Sequence, residues 1–117
     1  MKILICEDNP IIAMELGMTI EKMGHVASGY VTRSDRCIDR CREDPPELVL
    51  VDIDLADGAT GPELTKRLKE LDILSVIVSG QTDFLRPSDH EALAVVEKPF
   101  VYEELRDVLE RVGGSRS

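Results

Sequence analysis

The chain has 117 residues, of which 43% are hydrophobic and 32% charged, and its formal net charge is -9. This length and composition are typical of one soluble globular domain and exclude a fibrous or disordered chain. We expect no membrane insertion, since no apolar run approaches the roughly 20 residues of a membrane span, and no direct contact with nucleic acid, since the charge is negative.

Three short apolar runs alternate with two helical patterns in the first half of the chain. Strands are predicted over residues 2–6, 25–30 and 48–51, and helices over 10–23 and from 34 to before the proline pair at 45–46. Asn9 and Pro10 suit the start of the first helix, and Ser34 is predicted to cap the second. The strand at 48–51 is apolar throughout, as expected for a strand buried on both faces of a parallel sheet.

The second half continues the alternation, with one irregular segment. A third helix is predicted from Pro62 to Leu71, strands over 73–78 and 94–97, and a last helix from Tyr102 to Val112. Pro87 interrupts the segment between the two strands, so the fourth helix should be short, beginning near Ser88, or irregular. Residues 113–117 are predicted to be a flexible C-terminal tail.

Five strands alternating with five helices predict one α/β domain over residues 1–112. This order implies a parallel sheet with right-handed crossovers and helices on both faces. The three cysteines lack metal-type spacing, and we expect Cys6, Cys37 and Cys41 to be buried or partly buried thiols of a cytoplasmic protein.

Chemically active side chains follow the predicted strands at the points where the strands end. They are Glu7 and Asp8, Asp52, Ser79 and Lys98. In a parallel sheet these positions meet at one edge, where α/β proteins build their sites. An oxygen-rich acidic cluster is what a hard cation such as Mg²⁺ requires, and Mg²⁺ commonly shares its ligands with a phosphoryl group. Each residue alone also fits an ordinary structural role, but their joint placement favours a site.

This set of residues suits phosphoryl transfer to a carboxylate. Asp52 can act as a nucleophile towards phosphorus and form an aspartyl-phosphate. The transferred oxygens then need a cation and a hydrogen-bond donor, which Lys98 and Ser79 can supply.

Four segments of the chain resemble a known family, the receiver domain of bacterial two-component response regulators. The matching segments are Ile-Leu-Ile-Cys-Glu-Asp (3–8), Leu-Val-Leu-Val-Asp-Ile-Asp-Leu (48–55), Val-Ile-Val-Ser-Gly (76–80) and Val-Glu-Lys-Pro-Phe (96–100). The resemblance implies a flavodoxin-like (βα)5 fold with strand order 2-1-3-4-5. It also implies phosphorylation by a partner histidine kinase or histidine phosphotransfer protein, with Mg²⁺ as the cofactor.

The resemblance assigns a role to each acidic residue. Asp52 corresponds to the phosphoacceptor and also to a metal ligand. Asp8 would bind Mg²⁺ directly and Glu7 through water, while the backbone carbonyl of Asp54 would be a further ligand.

The resemblance extends to the residues that hold the phosphoryl group and departs at one switch position. Ser79 and Lys98 would hold the phosphoryl oxygens, and Pro99 would follow a cis peptide bond. The family usually has an aromatic residue three positions before the lysine, where this chain has Val95. The usual coupling through that ring is therefore not expected here.

The first functional hypothesis is a signalling phosphoacceptor that catalyses its own phosphotransfer and is not a turnover enzyme. We expect a stand-alone receiver whose output is a protein–protein contact or onward phosphotransfer. One alternative is a binding-only pseudo-receiver. Another is a small Mg²⁺-dependent phosphohydrolase with an aspartyl nucleophile, although the chain has no cap domain to enclose a substrate.

Overall fold

Five short strands form one parallel sheet in the order β2-β1-β3-β4-β5 in the computed structural model, which describes residues 1–80 and 82–114. The strands are β1 (Lys2–Cys6), β2 (Val26–Val31), β3 (Leu48–Val51), β4 (Leu74–Ser79) and β5 (Ala94–Glu97). The helices are α1 (Pro10–Lys22), α2 (Ser34–Glu43), α3 (Gly61–Glu70) and α4 (Tyr102–Gly114). The predicted flavodoxin-like fold and its strand order are confirmed.

Alternation along the central strand divides the core into two layers. Leu48 and Leu50 pack with the apolar faces of α1 and α4, whereas Val49 and Val51 pack with those of α2 and α3. All four residues are buried, because both faces of β3 are covered. The central strand therefore holds the residue that follows it, Asp52, in a fixed place at the sheet edge.

The connection between β4 and β5 differs from the expected alternation. The short helix predicted near Ser88 is a single 3₁₀ turn over Pro87–Asp89, so four α-helices instead of five flank the sheet in residues 1–80 and 82–114. The backbone N–H of Glu91 donates to the hydroxyl of Thr65 on α3 at 2.9 Å, and that of Leu93 donates to the carbonyl of Ser75 at 2.8 Å. These tertiary bonds replace the backbone bonds that a helix would supply.

Thr65 fastens this connection to α3. Its side chain is fully buried, and its hydroxyl donates to the Pro62 carbonyl at 2.6 Å while accepting from Glu91. We expect Thr65→Val to lower the free energy of unfolding in urea by about 1–2 kcal/mol, because a partly buried N–H loses its acceptor. The control is Thr19→Val, because the exposed hydroxyl of Thr19 donates to the Glu15 carbonyl within α1 itself. Equal stability of the two variants would show that the contact is dispensable.

Other elements differ from expectation mainly at their ends. Ser34 is the first residue of α2 and not its cap, and its hydroxyl donates to Asp57. Gly113 and Gly114, predicted as tail, continue α4, and residues 115–117 lie outside the described residues. The three cysteines are buried free thiols, as predicted. Within the described ranges, no helix has the length and apolar content to cross a membrane.

Candidate functional site

The predicted site residues meet at the carboxyl edge of the sheet. Asp52 follows β3, and its Oδ1 accepts a hydrogen bond from the Ser79 hydroxyl at the end of β4, at 2.7 Å. Lys98 follows β5, and its Nζ lies 2.9 Å from Oε2 of Glu7 and 3.4 Å from Oδ2 of Asp52. Four residues predicted from four different strand ends are thus joined by direct contacts.

Backbone hydrogen bonds fix the strand ends that carry these side chains. The N–H of Asp52 donates to the Cys6 carbonyl at 3.0 Å, and the N–H of Lys98 donates to the Ser79 carbonyl at 3.0 Å. The Lys98–Pro99 peptide bond is cis, as the resemblance implied. The site is therefore built on the sheet ladder itself, which gives its side chains a rigid base.

An acidic cluster lies beside the lysine. Glu7, Asp8 and Asp52 each offer a carboxylate oxygen, and these oxygens lie within 4.8 Å of one another. Glu7 is 3% exposed, Asp52 is largely buried and Asp8 is exposed. Three carboxylates lie beside the single ammonium group of Lys98, so the cluster is acidic. An oxygen-only donor set of this charge fits a hard divalent cation.

The buried pair of acids titrates unequally. Burial raises the pKa of Glu7 to about 7, and a hydrogen bond with Asp52 adds to this rise while Lys98 opposes it. Burial also acts to raise the pKa of Asp52, but hydrogen bonds from Glu7 and Ser79 and the charge of Lys98 outweigh it, so the pKa is lowered. Asp52 is therefore the ionised member of the pair, and ionisation is the state in which a carboxylate can act as a nucleophile.

Two predicted features lie at the margin of this constellation. The side chain of Asp54 is exposed and is not among the clustered carboxylates, so the predicted role of its backbone carbonyl stays a prediction. Val95 pairs with Ile77 in the sheet, and its side chain is 39% exposed.

Two further residues shape the site and were not singled out from the sequence. A Cβ atom added to Gly61 would lie 2.1 Å from the carbonyl oxygen of Asp52, so the start of α3 presses on the backbone of the candidate nucleophile. Asp57 holds the intervening loop to α2 through Ser34. In the sequence, Gly61 stands before Pro62 and Asp57 stands before Gly58. Both pairs are typical of turns, so neither residue indicated a role at the site.

Together, the sheet order and the edge that joins acids, a hydroxyl and a lysine define a receiver-type signalling domain. The model of the family described as response regulator receiver domain matches residues 3–110, and the chain belongs to this family. Receiver domains are parts of two-component systems, are generally signalling domains without turnover activity, and bind Mg²⁺ at an acidic pocket such as this one.

The chain is similar in sequence to two bacterial regulators. It is 33% identical over 102 residues to the phyllosphere-induced regulator PhyR of Methylorubrum extorquens, a match covering 85% of this chain and 38% of PhyR. It is 36% identical over 108 residues to the polar-differentiation response regulator DivK of Brucella anthropi, covering 83% of each. The chain thus spans well under half of PhyR and most of DivK.

A solved structure agrees with the sequence relatives. The solution structure of the receiver domain of Erythrobacter litoralis PhyR is 28% identical, with a TM-score of 0.82, over 94% of this chain and 87% of that one. The described fold and the named relatives thus identify the same family.

Proposed function

We propose that this receiver accepts a phosphoryl group on Asp52 from a histidine kinase or a histidine phosphotransfer protein, in a Mg²⁺-dependent reaction. The observation that carries the proposal is the Asp52 carboxylate, held by Ser79 at 2.7 Å and Lys98 at 3.4 Å inside an acidic cluster. Lowering of its pKa keeps this carboxylate ionised at neutral pH. An ionised carboxylate with a cation and a hydroxyl beside it matches the needs of phosphoryl transfer.

In the proposed reaction, an oxygen of Asp52 forms a bond to phosphorus while the bond from phosphorus to the donor breaks. The donor leaves with the bonding electron pair, as imidazole nitrogen from phosphohistidine or as acetate from acetyl phosphate. Lys98 neutralises charge on the transferred oxygens, and the Ser79 hydroxyl, which bonds Asp52 before transfer, donates to one of them afterwards.

The residues that would hold Mg²⁺ are Asp8, Asp52 and, through water, Glu7, with the carbonyl of Asp54. When bound, the ion supplies positive charge for the phosphoryl oxygens. The exposed carboxylate of Asp8 has no hydrogen-bonded or ionic partner among the described residues, which leaves it available to a cation.

The output of the phosphorylated domain is proposed to be a contact with a downstream protein or onward phosphotransfer to a histidine. The net charge of -9 suits a partner with a basic surface and not nucleic acid. A cytoplasmic location is part of the proposal, and the three free buried thiols fit a reducing compartment.

The direct test is intact-mass spectrometry after incubation with acetyl phosphate, with and without Mg²⁺. We expect one phosphoryl adduct that needs Mg²⁺ and is absent from Asp52→Asn, because the amide cannot act as the nucleophile. Equal labelling of Asp52→Asn would refute the assignment.

An absent adduct would have two explanations that a second probe separates. Beryllofluoride, a stable mimic of the phosphoryl group, would still bind a receiver that loses phosphate quickly, but not a pseudo-receiver. Hydrolysis of a generic phosphomonoester, scaling with protein and lost in Asp52→Asn, would instead indicate the phosphohydrolase.

A further inference from the structure

Asp57 is the central hydrogen-bond acceptor of the loop between β3 and α3. Its carboxylate accepts from the Ser34 backbone N–H at 3.1 Å, from the Ser34 hydroxyl at 2.7 Å and from the Thr60 hydroxyl at 2.9 Å. Ser34 begins α2, whereas Thr60 lies in the same loop as Asp57. One side chain therefore closes the loop on itself and also fastens it to a neighbouring helix.

The remainder of the loop is anchored around this acceptor. The N–H of Ala56 donates to the Thr32 carbonyl at 2.8 Å, and Leu55 exchanges backbone bonds with Gly58 at 2.8 and 3.0 Å. Ile53 and Leu55 are buried. Asp54 lies between these two buried residues and is exposed. Its position in the loop is therefore fixed by the packing of its two neighbours.

The bonds also settle the charge of Asp57. Burial acts to raise its pKa, but the hydrogen bonds from Ser34 and Thr60 outweigh it and hold the pKa well below its usual range. The first turn of a helix such as α2 also favours a nearby negative charge. Asp57 is accordingly an ionised hydrogen-bond acceptor at neutral pH.

We propose that Asp57 is a positioning residue that orders the β3–α3 loop for metal binding at the candidate site, an inference that rests on the proposed receiver function. Asp52 and the carbonyl of Asp54 belong to the strand end and loop that Asp57 fastens. A loop already fixed by Asp57 loses little conformational freedom when it takes up Mg²⁺, whereas a loosened loop must be ordered by the ion. The effect should therefore fall on metal affinity and not on the chemical step.

The test compares Asp57→Ala with Asp57→Asn, which keeps a carbonyl oxygen that can accept from Ser34. Asp39→Ala is the matched control, because this exposed acid on α2 forms no hydrogen bond or ion pair with the described residues. Mg²⁺ titrations followed by NMR chemical shifts, in the absence of any phosphodonor, give the half-saturating concentration. Labelling by acetyl phosphate is then measured at low and at saturating Mg²⁺.

For Asp57→Ala we expect the half-saturating Mg²⁺ concentration to rise about ten-fold, as for loss of a residue that orients metal ligands. Labelling should fall at low Mg²⁺ and return to the parental rate at saturation. Asp57→Asn should recover most of the affinity, and Asp39→Ala should stay close to the parent. Ser34→Ala added to Asp57→Ala should change little further, since the two residues act through one contact.

A lowered melting temperature with unchanged Mg²⁺ half-saturation would mean that Asp57 is only structural and would overturn the inference. If Asp57→Ala does not fold, Thr60→Val removes one of the three bonds and should give a smaller shift in the same direction. A parent that binds neither Mg²⁺ nor beryllofluoride would refute the proposed function as well. A parent that binds both while the variants match it would refute the inference alone.

Discussion

Gly61→Ala is expected to slow phosphoryl uptake at Asp52 about 100-fold and to destabilise the whole domain. The added Cβ would lie 2.1 Å from the carbonyl oxygen of Asp52 and 2.7 Å from the Cα of Ile53. Both atoms belong to the backbone, so neither can rotate away as a side chain could. The N–H of Gly61 also donates to the Ile53 carbonyl at 3.0 Å, which holds the two segments together. Relief of the clash must therefore move α3 or the strand end.

The expected cost follows from this geometry. Overpacking commonly costs about 1–3 kcal/mol, and a clash with fixed backbone belongs at or above the upper end of that range. Any movement of the Asp52 backbone also shifts its carboxylate relative to Ser79 and Lys98. A small misplacement of a reacting group can lower a rate about 100-fold.

The measurements are urea unfolding and acetyl phosphate labelling of the folded protein. Gly114→Ala is the matched control, since a Cβ there meets nothing within 4 Å and alanine favours a helix. Parental stability and labelling of Gly61→Ala would show that α3 can retreat without disturbing Asp52. Lower stability with normal labelling of the folded fraction would contradict only the effect on the nucleophile.

The sheet and most of the candidate site could be predicted from the sequence because a parallel sheet brings the ends of its strands together. Each apolar run ends at a polar residue, and the fold brings all such ends to one edge whatever the details of the loops. Asp52, Ser79 and Lys98 were found in this way, and their contacts at 2.7 and 3.4 Å agree with it. The prediction needed strand ends, which periodicity locates well, and no knowledge of side-chain geometry.

Contacts between loops and helices could not be predicted in the same way. Ser34 was expected to cap α2 because local rules favour serine there, but its hydroxyl donates to Asp57, which lies 23 residues along the chain. Pro87 correctly indicated an irregular segment. The sequence did not indicate that the Thr65 hydroxyl, on α3, would accept a hydrogen bond from the Glu91 N–H in that segment. In both cases the deciding partner is distant in sequence, and tertiary structure overrides the local preference.

Lys98→Met is expected to leave a folded domain that takes up phosphate about 100-fold more slowly than the parent, the scale seen when one electrostatic group is removed from an active site. The Lys98 ammonium lies 2.9 Å from Glu7 and 3.4 Å from Asp52. Without it, the three carboxylates of the cluster lose their ammonium neighbour, and the net charge of the cluster becomes more negative by one unit. An approaching phosphoryl group, itself anionic, then meets stronger repulsion and lacks a cation for its oxygens.

Lys69→Met serves as the matched control for Lys98→Met, because it removes the same charge from an exposed pair with Glu91. Labelling is followed over time by intact mass at saturating Mg²⁺, so that a change in metal affinity does not enter the comparison. Methionine keeps much of the length and apolar stem of lysine, which limits the loss of packing. A parental rate in Lys98→Met would exclude Lys98 from phosphoryl transfer, whereas an equal loss in Lys69→Met would assign the effect to overall charge. If Lys98→Met is labelled slowly and Lys69→Met is not, the charge of Lys98 acts at the reacting group, since both variants carry the same net charge.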